Sequence, residues 1–393
     1  MPNGIVTTYG RLGQRLREMG HEVFYVTGTC EAPDPWVTVI DPFSELTLFD
    51  RLRYKLNFDN AHFSIAANSI AGAVEHLVRN NSLEIFQMEE TNGWARKVIQ
   101  RVPIPVVVRL DGPWFLHSRM HSENNSKLPD ANRIKREGKA LHVAAGVTAP
   151  SRNVLDLATK FYGRPRCPTE VIPSPIAVKP YSARWRINNC DRNLILFVGR
   201  FDRHKGADIL LAAFAKLAQQ RPRIRLAYVG PDAGLSSNGG GVLKFGDYIN
   251  AKIPSALFER IEYRGLLPDI ELEKLRTEAY LTVVCSRYET FGSTVIEAMA
   301  TGCPTIATHT GGIPEIITDG RNGLLVPPED VGGLTEAITR LLDDPNLALR
   351  LGGQAARDCC AGFDPTTIAQ RFVDFYSAVI ARYKEGLRGG RPL

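Results

Sequence analysis

The 393-residue sequence has no apolar run approaching the ~20 residues that a membrane-spanning helix needs, so an integral helical membrane protein is excluded. Its first residues, Met1-Pro2-Asn3-Gly4-Ile5, carry neither a basic n-region nor an apolar h-region, so no secretory leader is expected. The seven cysteines, Cys30, Cys167, Cys190, Cys285, Cys303, Cys359 and Cys360, are odd in number and scattered. None forms a Cys-x-x-Cys, and the vicinal Cys359-Cys360 reads as incidental, so a reducing, cytoplasmic compartment is expected. There is no Asp-x-Asp, so a carboxylate clamp for a metal has no obvious ligands. No nucleic-acid-binding motif accompanies the positive charge, and no nucleic-acid partner is expected.

The net charge of +6 is unevenly placed. Residues 1–188 hold 24 Lys and Arg against 18 Asp and Glu, whereas residues 189–393 hold 24 of each. Part of the excess is the cluster Arg133, Lys135, Arg136 and Lys139. Two readings stand: a solvated helix face, or attraction to an anionic acceptor or to the inner face of an anionic membrane.

With 44% apolar residues the chain can bury an ordinary core, and its length suits roughly two to three domains of ~150 residues. The second half alternates between strand and helix. Residues 194–198, 224–229, 261–264, 281–285, 305–307 and 323–326 read as strands, several of them ending at glycine. Residues 207–217, 269–279 and 334–342 read as helices. Such alternation predicts an α/β fold with a parallel sheet covered on both faces and ligands at the carboxyl ends of the strands.

The first half alternates less regularly. A helix is expected over 11–19, closed by Gly20, and another over 65–78, with strands at 21–26, 83–87, 105–109 and 147–151. The aromatic and charged stretch 41–64 reads as an inserted lid or acceptor loop. Before the first helix stands what looks like a glycine-rich loop, residues 3–10, without the strand that should feed it. The first, central strand of an N-terminal sheet is therefore expected to be missing, through a start placed too far downstream or through truncation. The expected organisation is an N-terminal domain over 1–175, a linker over 176–192, a C-terminal domain over 193–365, and a final helix over 366–393 crossing back.

The chemistry concentrates in Ser286-Arg287-Tyr288-Glu289-Thr290-Phe291-Gly292-Ser293, which follows a strand and leads into a helix containing Glu297, eight residues beyond Glu289. A turn feeding a helix N-terminus is a ready anion site, because the first amides are unpaired. Two acceptor-only carboxylates beside it suit a ligand with a phosphate in the middle and hydroxyls at both ends. On spacing alone, a pair of charges that merely complement the helix dipole fits equally. A second loop, Gly199-Arg200-Phe201-Asp202-Arg203-His204-Lys205-Gly206, also links strand to helix, and Arg200 and Lys205 offer a planar fork and a point charge to a pyrophosphate.

These pieces carry a resemblance. Gly199-Arg200 with Lys205-Gly206, Tyr263-Arg264-Gly265, Glu289-Thr290-Phe291-Gly292 with Glu297-Ala298-Met299-Ala300, Gly302-Cys303-Pro304, Gly311-Gly312-Ile313-Pro314-Glu315 and Asn322-Gly323-Leu324 follow in order. Over 194–345 the chain resembles the donor-binding domain of family 4 retaining glycosyltransferases. Weaker matches lie at Gly4 with its helix, at Gly20-His21-Glu22-Val23 and at Val107-Val108-Arg109-Leu110.

The resemblance implies a GT-B fold, two doubly wound Rossmann-like domains facing a cleft. It implies transfer of a sugar from a nucleoside-diphosphate sugar, UDP rather than GDP, to a glycan, lipid-linked or small-molecule acceptor, without metal or other cofactor. Arg200 and Lys205 would hold the diphosphate, Glu297 the ribose hydroxyls and Glu289 the transferred sugar. Backbone at Gly4, Phe291, Gly292 and Ser293 would meet phosphate or sugar oxygens, and Gly265 and Leu266 would line the base.

Where relatives carry His, this sequence has Asp111, which cannot donate a hydrogen bond when ionised and would repel a diphosphate unless it has a partner such as Arg109 or Arg119. Asp111 and Glu90 are the candidates for the sugar or acceptor side, although Glu89 and Glu90 read as well as plain loop charges. The alternatives are a sugar-nucleotide-binding protein without turnover, motivated by Asp111 and the missing strand, and a phosphorylase or epimerase on the same fold.

Overall fold

A computed structural model describes residues 4–28, 30, 34–44, 46–116, 128–177, 179–236 and 241–388. The chain divides into two compact units. Unit 1 comprises residues 1–11 and 174–367, and unit 2 comprises residues 12–173 and 368–393.

The first element among the described residues is α1 (Gly4–Glu18), which spans the division between units. The expected glycine-rich loop is therefore helix from Gly4 onward. Thr8, Leu12 and Leu16 are buried at a spacing of four, one stripe of a helix, and that packing outweighs the poor propensity of Gly4 and Gly10. In unit 2 there follow β1 (Tyr25–Thr27), β2 (Val37–Val39), α2 (Leu48–Leu56), α3 (Phe58–Asn80), β3 (Phe86–Glu89), α4 (Ala95–Ile99), β4 (Val106–Arg109), α5 (Leu128–Val143), β5 (Gly146–Ala149), α6 (Arg152–Tyr162) and β6 (Thr169–Val171). The stretch 41–64 is not a loop but holds α2 and the start of α3. Asn57 separates the two helices, its side chain accepting from the Asn60 amide at 3.3 Å as an N-cap.

Strands β3 to β6 form one parallel sheet in that order, while β1 and β2 form a separate parallel pair. Among the described residues no strand joins the two pieces. The strands β4 and β5 are buried throughout, whereas every residue of β3, at the sheet's edge, is half-buried.

Unit 1 contains β7 (Asp191–Val198), α7 (Ala207–Gln220), β8 (Arg225–Val229), the short antiparallel pair β9 (Leu235–Ser236) and β10 (Val242–Leu243), α8 (Phe245–Lys252), β11 (Ile261–Tyr263), α9 (Asp269–Glu278), β12 (Ala279–Val284), α10 (Ser293–Thr301), β13 (Thr305–Thr308), β14 (Leu324–Val326), α11 (Val331–Asp343) and α12 (Pro345–Gly362). Its six-stranded parallel sheet has the order β11-β8-β7-β12-β13-β14. Alternate residues feed the two faces. Ile195 and Phe197 pack with Leu210 and Phe214 of α7, while Leu194 and Leu196 pack with Leu272 and Leu275 of α9.

Residues 176–192, expected as a linker, pack into unit 1. Trp185 is buried, and its indole Nε1 donates to the Ala279 carbonyl at 2.8 Å. One aromatic with a polar tip is enough to anchor a segment whose composition otherwise looks like connecting chain.

The last helix, α13 (Pro365–Arg388), lies in unit 2 from Ile368 onward. There Ile368, Phe372, Phe375 and Val379 pack with Val107, Ile172, Leu12 and Leu16. A Cβ on Gly146 would come within 2.8 Å of Val379, so β5 meets this helix at a glycine. Phe372 is fully buried in this cluster, and truncating such a ring costs about 3–5 kcal/mol. Phe372→Ala should therefore lower the denaturation midpoint clearly. A midpoint within error of the parent would show that the helix contributes no packing to unit 2.

Candidate functional site

Strand order in the sheet of unit 1 reverses between β7 and β12. The connections leaving their carboxyl ends run to opposite faces, which opens a crevice where open α/β sheets bind ligands. The two loops singled out in the sequence leave at this point: residues 199–206 after β7, and residues 285–292 after β12.

Side chains and backbone stitch the loops together. Lys205 Nζ lies 2.5 Å from Glu289 Oε1, and Ser286 Oγ donates to the same oxygen at 2.6 Å. Burial alone would raise the Glu289 carboxyl, but the Lys205 ammonium and the Ser286 hydroxyl overcome it and hold the group below the usual carboxylate range. Both donors converge on Oε1, and Oε2 has no hydrogen-bond partner among the described residues. Arg287 completes the seam. Its amide donates to the His204 carbonyl at 2.9 Å, and its guanidinium binds both oxygens of Asp208 at 2.9 and 2.8 Å.

Asp202 organises the first loop from within. One oxygen accepts from the Lys205 amide at 2.7 Å, and the other pairs with Arg200 Nε at 2.8 Å. Arg200 is half exposed, its remaining guanidinium donors free of Asp202. The second loop is fixed from the side of β13. Gly312 donates to the Glu289 carbonyl at 2.9 Å, and a Cβ on Gly311, whose φ is +57°, would stand 1.9 Å from that carbonyl oxygen. Only glycine fits there.

Helix α10 starts after Gly292, with φ of +108°, has no side-chain cap, and so directs the amides of Ser293 and Thr294 outward, the Val295 amide already donating to the Gly292 carbonyl at 2.9 Å. The Phe291 side chain turns the other way, into the core beside Phe363 at 5.8 Å. Glu297 lies in the second turn of α10. Its Oε2 accepts from Arg276 Nη2 at 2.6 Å, and Arg11 Nη2 stands 3.8 Å from Oε1. After β11, Gly265 (φ +58°) turns the chain and leaves the apolar Leu266 exposed. Arg200, Lys205, Glu289, Gly292, Ser293, Glu297, Gly265 and Leu266 thus all lie at carboxyl ends of strands in one unit, or in the helix that follows. Gly4 is the first residue of α1, not part of a loop.

In unit 2 two carboxylates face inward. Glu90 is buried, and its two oxygens accept the Asp111 and Gly112 amides, each at 2.9 Å. Burial pushes its carboxyl well above the usual range, reinforced by Glu137, Asp111 and Glu89. Glu90 is therefore not an open acceptor-side group but the brace of the loop after β4. Glu137, also buried, accepts from the Trp114 amide, Arg133 Nε and the Tyr162 hydroxyl at 2.9, 2.9 and 3.1 Å. Two cations of the basic cluster are spent internally. Arg133 binds Glu137, and Arg136 binds Asp59 at 2.9 Å. Lys135 and Lys139 stay exposed.

Asp111 has a partner. Arg109 is fully buried, donates from Nε to Asp111 Oδ1 at 2.9 Å and from Nη1 to the Ile172 carbonyl at 3.0 Å, and lies 5.3 Å over the Phe372 ring. The repulsion expected of a lone carboxylate does not arise, because a guanidinium neutralises it.

Sequence reasoning missed Asp202, Arg287 and Arg276. The first two look like ordinary loop charges. Arg276 carried a signal: with Leu272 and Leu275 it completes an i, i+3, i+4 set, so a cation stands in the apolar stripe of α9.

Comparison with known proteins matches residues 183–358 to the family model Glycosyl transferases group 1 and residues 2–179 to the model Glycosyltransferase Family 4. A D-inositol 3-phosphate glycosyltransferase of Streptomyces avermitilis is 32% identical over 209 residues, 53% of this chain and 44% of the relative. A glycogen synthase of Mycobacterium tuberculosis is 30% identical over 202 residues, 50% of this chain and 44% of the relative. These matches span less than half the length of the curated relatives. Among solved structures, sucrose-phosphate synthase from Thermosynechococcus elongatus superposes with a TM-score of 0.77 at 23% identity, over 97% of this chain and 94% of that one. The Anabaena protein HepE, in complex with UDP and glucose, gives 0.69 at 18% identity, over 96% of each. The fold is GT-B.

The Arg109–Asp111 pair yields a test. Removing one partner of a buried pair strands the other charge, typically at about 3–5 kcal/mol. Asp111→His should lower the stability of the protein by that order in chemical denaturation. Unchanged stability, with higher turnover of a sugar nucleotide, would instead make Asp111 a degraded functional residue.

Proposed function

We propose that this chain, which belongs to the glycosyltransferase family those two models describe, transfers a sugar with retention from a nucleoside-diphosphate sugar to a glycan, lipid-linked or small-molecule acceptor. The observation that carries the reading is the contact of Lys205 with Glu289 at 2.5 Å across the point where strand order reverses. It brings Arg200 and Lys205 of one loop and Glu289 of the other into one crevice beside an uncapped helix N-terminus.

The residues divide the donor among them. Lys205 gives one of its three donors to Glu289 and Arg200 one of its five to Asp202, so both keep donors for the diphosphate. The amides that open α10 add to them. Glu289 Oε2 accepts hydroxyls of the transferred sugar, Glu297 the ribose hydroxyls, and the exposed Leu266 offers an apolar surface to the base.

In the reaction the bond from the anomeric carbon to the diphosphate breaks as the acceptor oxygen attacks the same face. The acceptor proton passes to an oxygen of the departing diphosphate. Charge grows on that diphosphate, and the preorganised cations and amides stabilise it. Glu289 Oε1, committed to Lys205 and Ser286, suits binding rather than covalent attack. The proposal includes no metal or organic cofactor.

No disulfide joins any of the seven cysteines, which suits a reducing, cytoplasmic setting. No helix among the described residues is long and apolar enough to cross a membrane. Around α2, however, Leu52, Leu56 and Phe58 are exposed next to Arg51, Arg53 and Lys55, a composition suited to the surface of an anionic membrane. Co-sedimentation with phosphatidylglycerol vesicles but not with neutral ones is the expected result. Equal recovery with both would remove the membrane from the proposal.

Activity is tested by incubating the protein with UDP-sugars and GDP-sugars and a panel of acceptors, following release of the nucleoside diphosphate. Phosphate-dependent turnover would favour a phosphorylase, and binding without turnover a sugar-nucleotide-binding protein. Arg200→Ala and Lys205→Ala should each slow turnover by ~10²–10³. Near-parental turnover in both would dismiss the diphosphate site. Glu297→Ala should weaken donor binding at least about tenfold by calorimetry, the loss of charge-assisted hydrogen bonds, while the protein stays folded at a lower stability because the buried Arg276 loses its partner.

A further inference from the structure

Behind Glu297 lies a buried cation that the reading above does not use. Arg276 stands in the last turn of α9 and is only 4% exposed. Its Nη2 donates to Glu297 Oε2 at 2.6 Å, and its Nε is buried with no hydrogen-bond partner. A guanidinium so placed is costly. It has left water, and one of its donors is unsatisfied, whereas Met or Leu would fill the stripe beside Leu272 and Leu275 at no such cost. A cation in the last turn of a helix gains from the dipole without being buried, so the dipole does not explain the burial. What the burial achieves is contact with Glu297 from the protein side.

Glu297 itself is part exposed, its side chain 23% accessible, so one aspect of the carboxylate meets Arg276 and another meets solvent. An ionised carboxylate offers about four acceptor positions, and Arg276 takes one. Arg11, at 3.8 Å and 35% accessible, is too distant for a hydrogen bond and does not fix the group. A glutamate on a helix surface has several rotatable bonds, and a carboxylate that must meet two vicinal hydroxyls gains from being held in one orientation before they arrive.

We propose that Arg276 is a positioning residue for ribose recognition: it fixes the Glu297 carboxylate so that its remaining acceptor positions meet the 2′- and 3′-hydroxyls of the nucleotide. The assignment rests on the donor reading given above for Glu297. Its consequence is specific. The preference for a ribonucleotide over a 2′-deoxyribonucleotide depends on Arg276, a residue that does not touch the ribose.

The test is calorimetry on the full chain with two probes, UDP and 2′-deoxy-UDP. The parent should prefer UDP by about tenfold, the worth of one charge-assisted hydrogen bond. In Arg276→Met this preference should fall to about threefold or less, with a smaller loss of affinity for 2′-deoxy-UDP, which keeps only the 3′-hydroxyl, than for UDP. Because Arg276→Met leaves a carboxylate without its partner, the double variant Arg276→Met/Glu297→Gln, in which both charges are gone, supports the measurement if the single variant does not fold. It should match Glu297→Gln alone for both probes. An unchanged preference in Arg276→Met, an equal loss for both probes, or a double variant weaker than Glu297→Gln toward 2′-deoxy-UDP would overturn the assignment and leave the donor reading intact. If the parent binds GDP rather than UDP, GDP and 2′-deoxy-GDP replace the two probes; a parent that binds neither diphosphate, or binds the ribo and deoxy forms equally, would overturn the donor reading and this assignment together.

Discussion

The chemistry of unit 1 depends on one topological constraint, the reversal of strand order between β7 and β12. Parallel strands joined by helices send every loop at their carboxyl ends toward the same edge, and at the reversal two such loops part and leave room for a ligand. All else at the site answers to that opening. Lys205 and Glu289 meet across it, Arg287 ties the loops by backbone and by Asp208, and Gly311 lets the chain after β13 touch the Glu289 carbonyl.

Charged side chains in this protein mostly hold backbone or one another. Glu90 receives two amides of the loop after β4, and Asp202 receives the Lys205 amide while it steadies Arg200. Arg260 gives three bonds to the carbonyls of Ile224, Ala218 and Arg221, closing the end of α7 and the turn beyond it. Buried charges add little net stability, since desolvation offsets most of the attraction. Their effect here is geometric. Each fixes a loop that would otherwise have several conformations, and the loops so fixed carry the candidate binding groups. Arg276 and Glu297 extend the same device from backbone to a side chain.

Much of this was legible in the sequence where the signal is periodic or local. The runs 194–198, 224–229 and 281–285 became β7, β8 and β12, and the helix expected to contain Glu297 does, ending at Gly302 with φ of +77°. Where several forces compete, the local signal failed. The glycines near residues 4–10 suggested a loop, but a buried stripe made a helix. Residues 41–64 looked like an insertion because their aromatic and charged residues do not separate cleanly by face, yet Asn57 caps a 23-residue helix that starts within them.

By itself the sequence determined the alternation of strand and helix and the placing of Arg200, Lys205, Glu289 and Glu297 after strands. Backbone sterics and hydrophobic periodicity act over a few residues, so they can be read along a chain. The tertiary structure alone decided which charges are free and which are spent. Asp111 is neutralised by Arg109, Glu90 is consumed by two amides, and Arg276 is buried behind Glu297. A charge written in a sequence has no partner and no depth. Both are set by which strands and helices pack together, and together they fix whether the side chain binds a ligand, holds a loop or orients a neighbour.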